Sequence, residues 1–191
     1  MAIVVGGTTV TGTQTLLASV LTGTASAING SNITNISAGK VNQIVTVNST
    51  SQTSTTASSY SDTNLALNIT PSATNSKILI FVTDSIQLQH NDSQGDQGGA
   101  FRIKRTISSS NTTLVQDNNA YEGFYHSNKA VADMNRRMHI NNHYVDTAHN
   151  TTSQITYTWQ IASYRSAGNA KMVSVHDNNR GNITAMEILA W

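Results

Sequence analysis

The sequence predicts an all-β fold, an antiparallel β-sandwich of jelly-roll type, and three observations carry that expectation. Ser, Thr, Asn and Gly are abundant while glutamate occurs only twice, at Glu122 and Glu187, so helix formers are scarce and strand and turn formers plentiful. Apolar residues recur at every second position over short runs, most cleanly in QITYTWQI at 154–161. Polar clusters, one of them holding the sole proline, Pro71, separate these runs at short intervals.

Composition narrows the function classes. At 191 residues the chain suits one ordinary domain plus an appendage. It has no cysteine, which excludes disulfides, thiolate metal sites and cysteine nucleophiles. With 11 basic against 10 acidic residues it carries no electrostatic footprint for nucleic acid or anionic lipid. No apolar run approaches a membrane span, and the N-terminus lacks the basic start and apolar centre of a signal peptide. The expectation is a protein with no nucleic-acid partner, no membrane insertion and no cofactor.

Residues 1–39 contain no charged side chain and no aromatic residue; the first charge is Lys40. The apolar pieces of this thread are Ile3, Val4 and Val5, then Leu16, Leu17, Val20 and Leu21, which would share one side of a short helix. Two turns of helix are marginal without a partner surface, so the segment is expected to act as an assembly arm. From residue 40 onward the expectation is a sandwich domain.

Its strands are expected in order. The run 41–48 puts Val41, Gln43, Val45 and Val47 on one side. In 65–70, Leu65, Leu67 and Ile69 alternate with Ala66, Asn68 and Thr70, the mark of a half-wet strand, whereas 78–82 is unbroken apolar sequence and reads as wholly buried. Between them Pro71, Ser72, Thr74, Asn75 and Ser76 supply a corner. The strand that holds 78–82 is expected to span 77–84; a run at 86–89 follows, then 100–107, with Phe101, Ile103 and Ile107 set against Arg102, Lys104 and Thr106, a short strand at 113–116 and a weaker one at 138–145. In 154–161, Ile155, Tyr157, Trp159 and Ile161 point inward and Gln154, Thr156, Thr158 and Gln160 outward. Runs at 170–176 and 182–190 complete the set. Polar insertions at 90–99, 117–133 and 146–153 are the expected loops and the natural seats of a binding surface.

Few residues offer chemistry. His139, His143 and His149, with Asp146 nearby, could suit a divalent ion, but residues four apart on a strand lie roughly 13 Å apart, so no metal is expected. Asp92 and Asp96 do not match the spacing of a calcium loop. Asp117, Glu122, Asp133 and Asp146 could form a glycosidase pair only if folded together, and ordinary surface charge explains them equally well. Nucleophile-elbow, phosphate-loop and dinucleotide motifs do not occur, and the reading is non-enzymatic. Tyr121, Phe124, Tyr125 and His126 form the densest aromatic cluster, suited either to stacking on a sugar or anchoring an interface, or to covering a core. Arg136 and Arg137 read as a solvated or subunit-contacting pair.

The order GKVNQIVTV, then SSYSDTNLALNITPSATNSKILIFV, then TTSQITYTWQI and finally NITAMEILAW resembles a recurrent domain of tailed-bacteriophage virion proteins of the tail-fibre and head-fibre kind. The resemblance covers about 150 residues, from Gly39 onward, and its most specific blocks are 63–82 and 184–188. It implies a β-sandwich on the virion surface, usually a homotrimer, with residues 1–39 docking onto capsid or tail proteins. Contact with a host-surface glycan or protein, and a stay in the host cytoplasm during assembly, are further expectations. A capsid decoration or cement protein is the alternative, and a glycan-active module a third. Residues 87–150 depart from the pattern, which leaves the ligand open.

Overall fold

A computed structural model describes residues 3–5, 8–10, 41–90, 96–117, 123–127, 134–164 and 171–189. Contacts divide the chain into a unit at 1–38 and a unit at 39–191. In the first, β1 (Ile3–Val5) pairs antiparallel with β2 (Thr8–Val10), Ile3 opposite Val10 and Val5 opposite Thr8. Leu16, Leu17, Val20 and Leu21 lie outside the described residues.

The second unit contains β3 (Val41–Ser49), β4 (Thr53–Thr55), β5 (Ser61–Ile69), β6 (Lys77–His90), β7 (Asp96–Ile107), β8 (Ser110–Gln116), β9 (Phe124–Ser127), β10 (Met134–Asp146), β11 (Ile155–Ser163), β12 (Lys171–Ser174) and β13 (Gly181–Ile188). One sheet runs β3-β13-β6, with β10 on the opposite edge of β6 and β12 and β4 extending it; the other runs β5-β11-β7-β8, with β9 beside β7. Every pairing is antiparallel. Setting aside short β4, β9 and β12, the principal strands fall in the orders first, last, third, sixth and second, seventh, fourth, fifth. That is the jelly-roll arrangement.

The core lies between the sheets. Leu65, Leu67 and Ile69 of β5 face Ile78, Ile80, Val82, Ile86 and Leu88 of β6, with Tyr157, Trp159 and Ile161 of β11 and Ile183 and Ala185 of β13 between them. Each large apolar side chain enclosed here contributes roughly 1.5–3 kcal/mol, and β11, central in its sheet, supplies the largest, Trp159. Gly181 opens β13 at a close approach, where a Cβ would stand 2.9 Å from both Leu65 Cδ1 and Val175 Cγ2.

Several expectations need correction. The run 78–82 is not wholly buried: its residues alternate, and Phe81 is 41% exposed on the outer face while Leu79 is half-buried there. An apolar residue on the outer face of a sheet is indistinguishable by period from one in a core. Val41 is exposed rather than inward, because the register shifts between Glu187 and Ile188 opposite the start of β3. The runs at 77–84 and 86–89 are one strand, β6. Thr158 and Gln160 do point away from the core yet are buried, because Arg102 and Asp62 hydrogen-bond across Gln160 and Lys104 pairs with Asp62 at 2.7 Å. Phe124–Ser127 is a strand rather than loop, pairing with Asp96–Gly99 of β7.

Candidate functional site

The sequence-derived residues separate. Tyr121 lies outside the described residues, as do Glu122 and Asp133. Phe124 turns inward, its ring 6.4 Å from that of Phe101, which stacks at 5.1 Å on Trp159, so it rims the core. Tyr125 is 48% exposed and meets Tyr164 edge-on at 5.8 Å. His126 is placed by its backbone in β9, opposite Gln97.

The histidines and Asp146 do not converge. On β10, His139 and His143 stand on the outer face, opposite Ser85 and Phe81, while Asp146 points inward. Asp146 accepts hydrogen bonds from Arg105 Nη1 at 2.8 Å and from the Tyr157 hydroxyl at 2.8 Å; burial first, then this carboxylate, pushes the phenol's pKa up. His149 is buried elsewhere, its Nε2 donating to the Ser76 carbonyl at 2.8 Å. Asp117 accepts from the Phe101 backbone N–H at 3.0 Å. Among the described residues no three metal-ligating side chains come together.

A different site emerges where β12 and β13 meet. Both pair with the same edge of β6, β12 at Gln87–Gln89 and β13 at Lys77–Thr83, so residues 175–180 must leave the sheet beside Asp84–Ile86. The chain does so with left-handed backbone at two non-glycine residues, Val175 (φ 54°, ψ 47°) and Asp177 (φ 56°, ψ 32°). For a β-branched residue this is a genuine outlier and persists only where the surroundings enforce it. The enforcing group is Asp84, fully buried, which accepts from Val175 N–H at 2.9 Å, Ser174 Oγ at 2.7 Å and Trp159 Nε1 at 3.0 Å. Burial raises the Asp84 pKa, and these donors together with the Ser85 backbone N–H only partly oppose it.

The excursion carries a short 3-10 turn, His176–Asn178, onto the outer face of the larger sheet. There a cleft of about 160 Å³ lies between Ser85 of β6, Arg137 and His139 of β10, and His176, Asp177 and Asn179. Arg137 Nη1 stands 3.2 Å and His176 Nε2 3.4 Å from the Asp177 carboxylate. Burial lowers the His176 pKa, with Asp177 opposing and Arg137 and Lys171 reinforcing the shift, so the ring is neutral at pH 7. The Ser85 hydroxyl is buried, at 4% exposure, without a hydrogen-bond partner. Of these residues only the arginine and His139 drew notice in the sequence; the cleft is assembled from three segments, which no local spacing could reveal.

The same outer face carries an apolar row. Ile44, Met186, Leu79 and Val145 stand opposite one another across β3, β13, β6 and β10, with Phe81 in the adjoining row beside His143. Ile44 is 57% and Val145 41% exposed. Further along, the row Asn48, Asn182, Thr83 and Asn141 is polar and internally hydrogen-bonded.

No family model and no curated protein matches the chain. Among solved structures it is similar in part to infectious bursal disease virus of the Gx strain (14% identity, TM-score 0.37) and to the VP2 subviral particle of that virus (15% identity, TM-score 0.36). Each overlay covers 78% of this chain but only 37% and 39% of the respective viral chain, so the protein spans about two fifths of their length. Both are viral particle proteins; the likeness is partial and confined to strand arrangement.

Proposed function

We propose that this protein is a non-enzymatic structural component of a virion: a homotrimeric surface fibre or knob, anchored to capsid or tail proteins through residues 1–39, with its sandwich facing outward toward the host. The observation that carries this reading is how the two phage-like blocks fold. Residues 63–82 become β5, the Pro71 corner and the start of β6, and residues 184–188 are the end of β13, paired with β6 from Thr184 opposite Phe81 to Ile188 opposite Lys77. Glu187 locks them together, accepting from the Ser72 backbone N–H at 2.7 Å and from Ser72 Oγ at 2.9 Å. The resemblance therefore falls on one interlocked unit rather than on scattered strand-like strings.

The apolar outer row supports assembly, since contiguous exposed apolar surface on a protein otherwise this polar suits burial against another subunit. It also favours the second reading, a decoration protein lying flat on a shell. Light scattering on the full chain tests the trimer: a particle of about three times the 20.4 kDa chain mass is expected, and a monomer at micromolar concentration overturns it. Copy number per virion separates the readings, a handful at the tail for a fibre and hundreds on the head for decoration.

A further inference from the structure

We infer that the cleft between β6, β10 and the His176–Asn178 turn is a binding site for a neutral, hydroxyl-rich ligand, a single sugar residue at the end of a glycan. It deepens the host-contact element of the proposed function and rests on it for its biological meaning. Its chemistry lies within one chain and stands or falls separately from the trimer.

Three observations support a built site. Ser85 lines the cleft, and its hydroxyl is buried without a hydrogen-bond partner, a state that native structures rarely leave without a physical reason. The backbone that presents His176 and Asp177 is held in the left-handed region at Val175 and Asp177, and Asp84, Trp159 and Ser174 together maintain it. Such enforced outliers concentrate at functional sites. Met138, a partly exposed apolar side chain, also lines the cleft and suits the C–H face of a ring.

The ligand class follows from the groups present. Arg137 and the Asp177 carboxylate, 3.2 Å apart, offset one another across the cleft, so it is not built around a single ionic ligand. A guanidinium beside a carboxylate, with an amide from Asn179 and a hydroxyl from Ser85, offers alternating donors and acceptors. That pattern matches adjacent sugar hydroxyls, each of which both donates and accepts. At about 160 Å³ the cleft is well below the roughly 300 Å³ at which drug-sized sites begin, so one ring fits and an extended chain would project outward.

The test is titration of the full-length, isotope-labelled protein with the methyl glycosides of glucose, galactose, mannose and N-acetylglucosamine, each into the tens of millimolar, followed by amide chemical shifts. At least one glycoside is expected to give saturable shifts confined to Ser85, Arg137–His139 and His176–Asn179. Asp177→Asn, an exposed substitution, is expected to weaken binding about tenfold through loss of a charge-assisted hydrogen bond. His139→Ala, also exposed, should weaken it several-fold without altering the thermal midpoint. No saturable shift with any glycoside overturns the inference, as do shifts insensitive to both substitutions. Sulfate, acetate or zinc producing the same shifts at lower concentration would overturn it in favour of an ion site. A monomer by light scattering with sugar binding intact would remove the trimer and leave the cleft.

Discussion

Two buried carboxylates at different places along the β6–β13 region behave in opposite ways. Glu187 sits beneath the Pro71 corner, where Oε1 accepts from the Ser72 backbone and hydroxyl and Oε2 from Asn42 Nδ2 at 2.8 Å and Gln43 Nε2 at 2.7 Å. Burial alone would raise its pKa, but these donors outweigh it and hold the carboxyl at about 2. Asp84 is sunk beside Trp159, and there burial prevails over its donors and the pKa rises. The first carboxylate is a rivet of the scaffold. The second tolerates its charge poorly, and what it secures is a strained excursion that builds a cleft. A buried charge whose donors outweigh its burial consolidates a fold, whereas one whose burial outweighs its donors is retained for the shape it enforces.

Glu187→Gln is expected to break the scaffold end most severely. Turned toward Asn42 and Gln43, the new NH₂ confronts two amide donors; turned toward Ser72, it confronts the backbone N–H, although the hydroxyl can reverse. Asn42 and Gln43 cannot simply flip, since their amides also donate to Ser72 Oγ at 3.0 Å and to the Thr70 carbonyl at 2.7 Å. A loss on the order of 3 kcal/mol follows, read as a fall in thermal midpoint of roughly 6–12 °C. The pH dependence has a definite sign. A carboxyl lowered from 4.5 to about 2 contributes stability that is complete above 4.5 and lost as pH falls toward 2. The gap between wild type and the Gln variant should therefore close over that window in acid denaturation. A midpoint within about 2 °C of wild type at neutral pH would mean that Glu187 is no rivet.

How much of this was legible in the sequence follows the same division. Alternation in β5 and β11 showed the core because their inward residues are apolar and their outward ones polar. The corner was legible because proline and hydroxyl residues act through their own backbone. Asp84 was not, because an acid followed by Ser85 reads as a strand end and so divides β6 in two; its partners, Trp159 and Val175, lie far along the chain. β4 and β9 are too short to establish a period, so the sequence leaves open whether Phe124 packs inward or serves a surface, and it packs on Phe101. Ser85, Arg137 and Asp177 become neighbours only through strand register.

Asp84→Asn should have a smaller effect and an inverted pH signature. The neutral side chain keeps the acceptor for Val175 N–H and Ser174 can reverse its hydroxyl, so Trp159 Nε1 alone loses its partner, at about 1 kcal/mol. Because the wild-type pKa is raised above 3.8, ionised Asp84 penalises the fold at neutral pH, and the penalty is relieved as pH falls through the raised value toward 3.8. Denaturant titrations should show the wild-type advantage over the Asn variant growing on mild acidification, the reverse of Glu187→Gln. An advantage that shrinks would mean that Asp84 is held ionised, as Glu187 is.

Asp177→Gly gives the smallest effect and separates stability from function. Asp177 is exposed and left-handed at φ 56°, a conformation that glycine adopts without the Cβ clash. Removing that strain stabilises by about 0.5 kcal/mol after allowing for the greater freedom of glycine in the unfolded chain, a rise of one or two degrees in midpoint. The same change deletes the carboxylate facing Arg137 and His176, so glycoside binding should disappear from a protein that melts slightly higher. A scaffold residue would show no such trade: the corner beneath Ser72 has no substitution that both relaxes it and costs only a ligand. If Asp177→Gly instead melts lower, the turn is held by its ion pairs rather than strained against them, and the 175–180 excursion belongs with Glu187 as part of the frame.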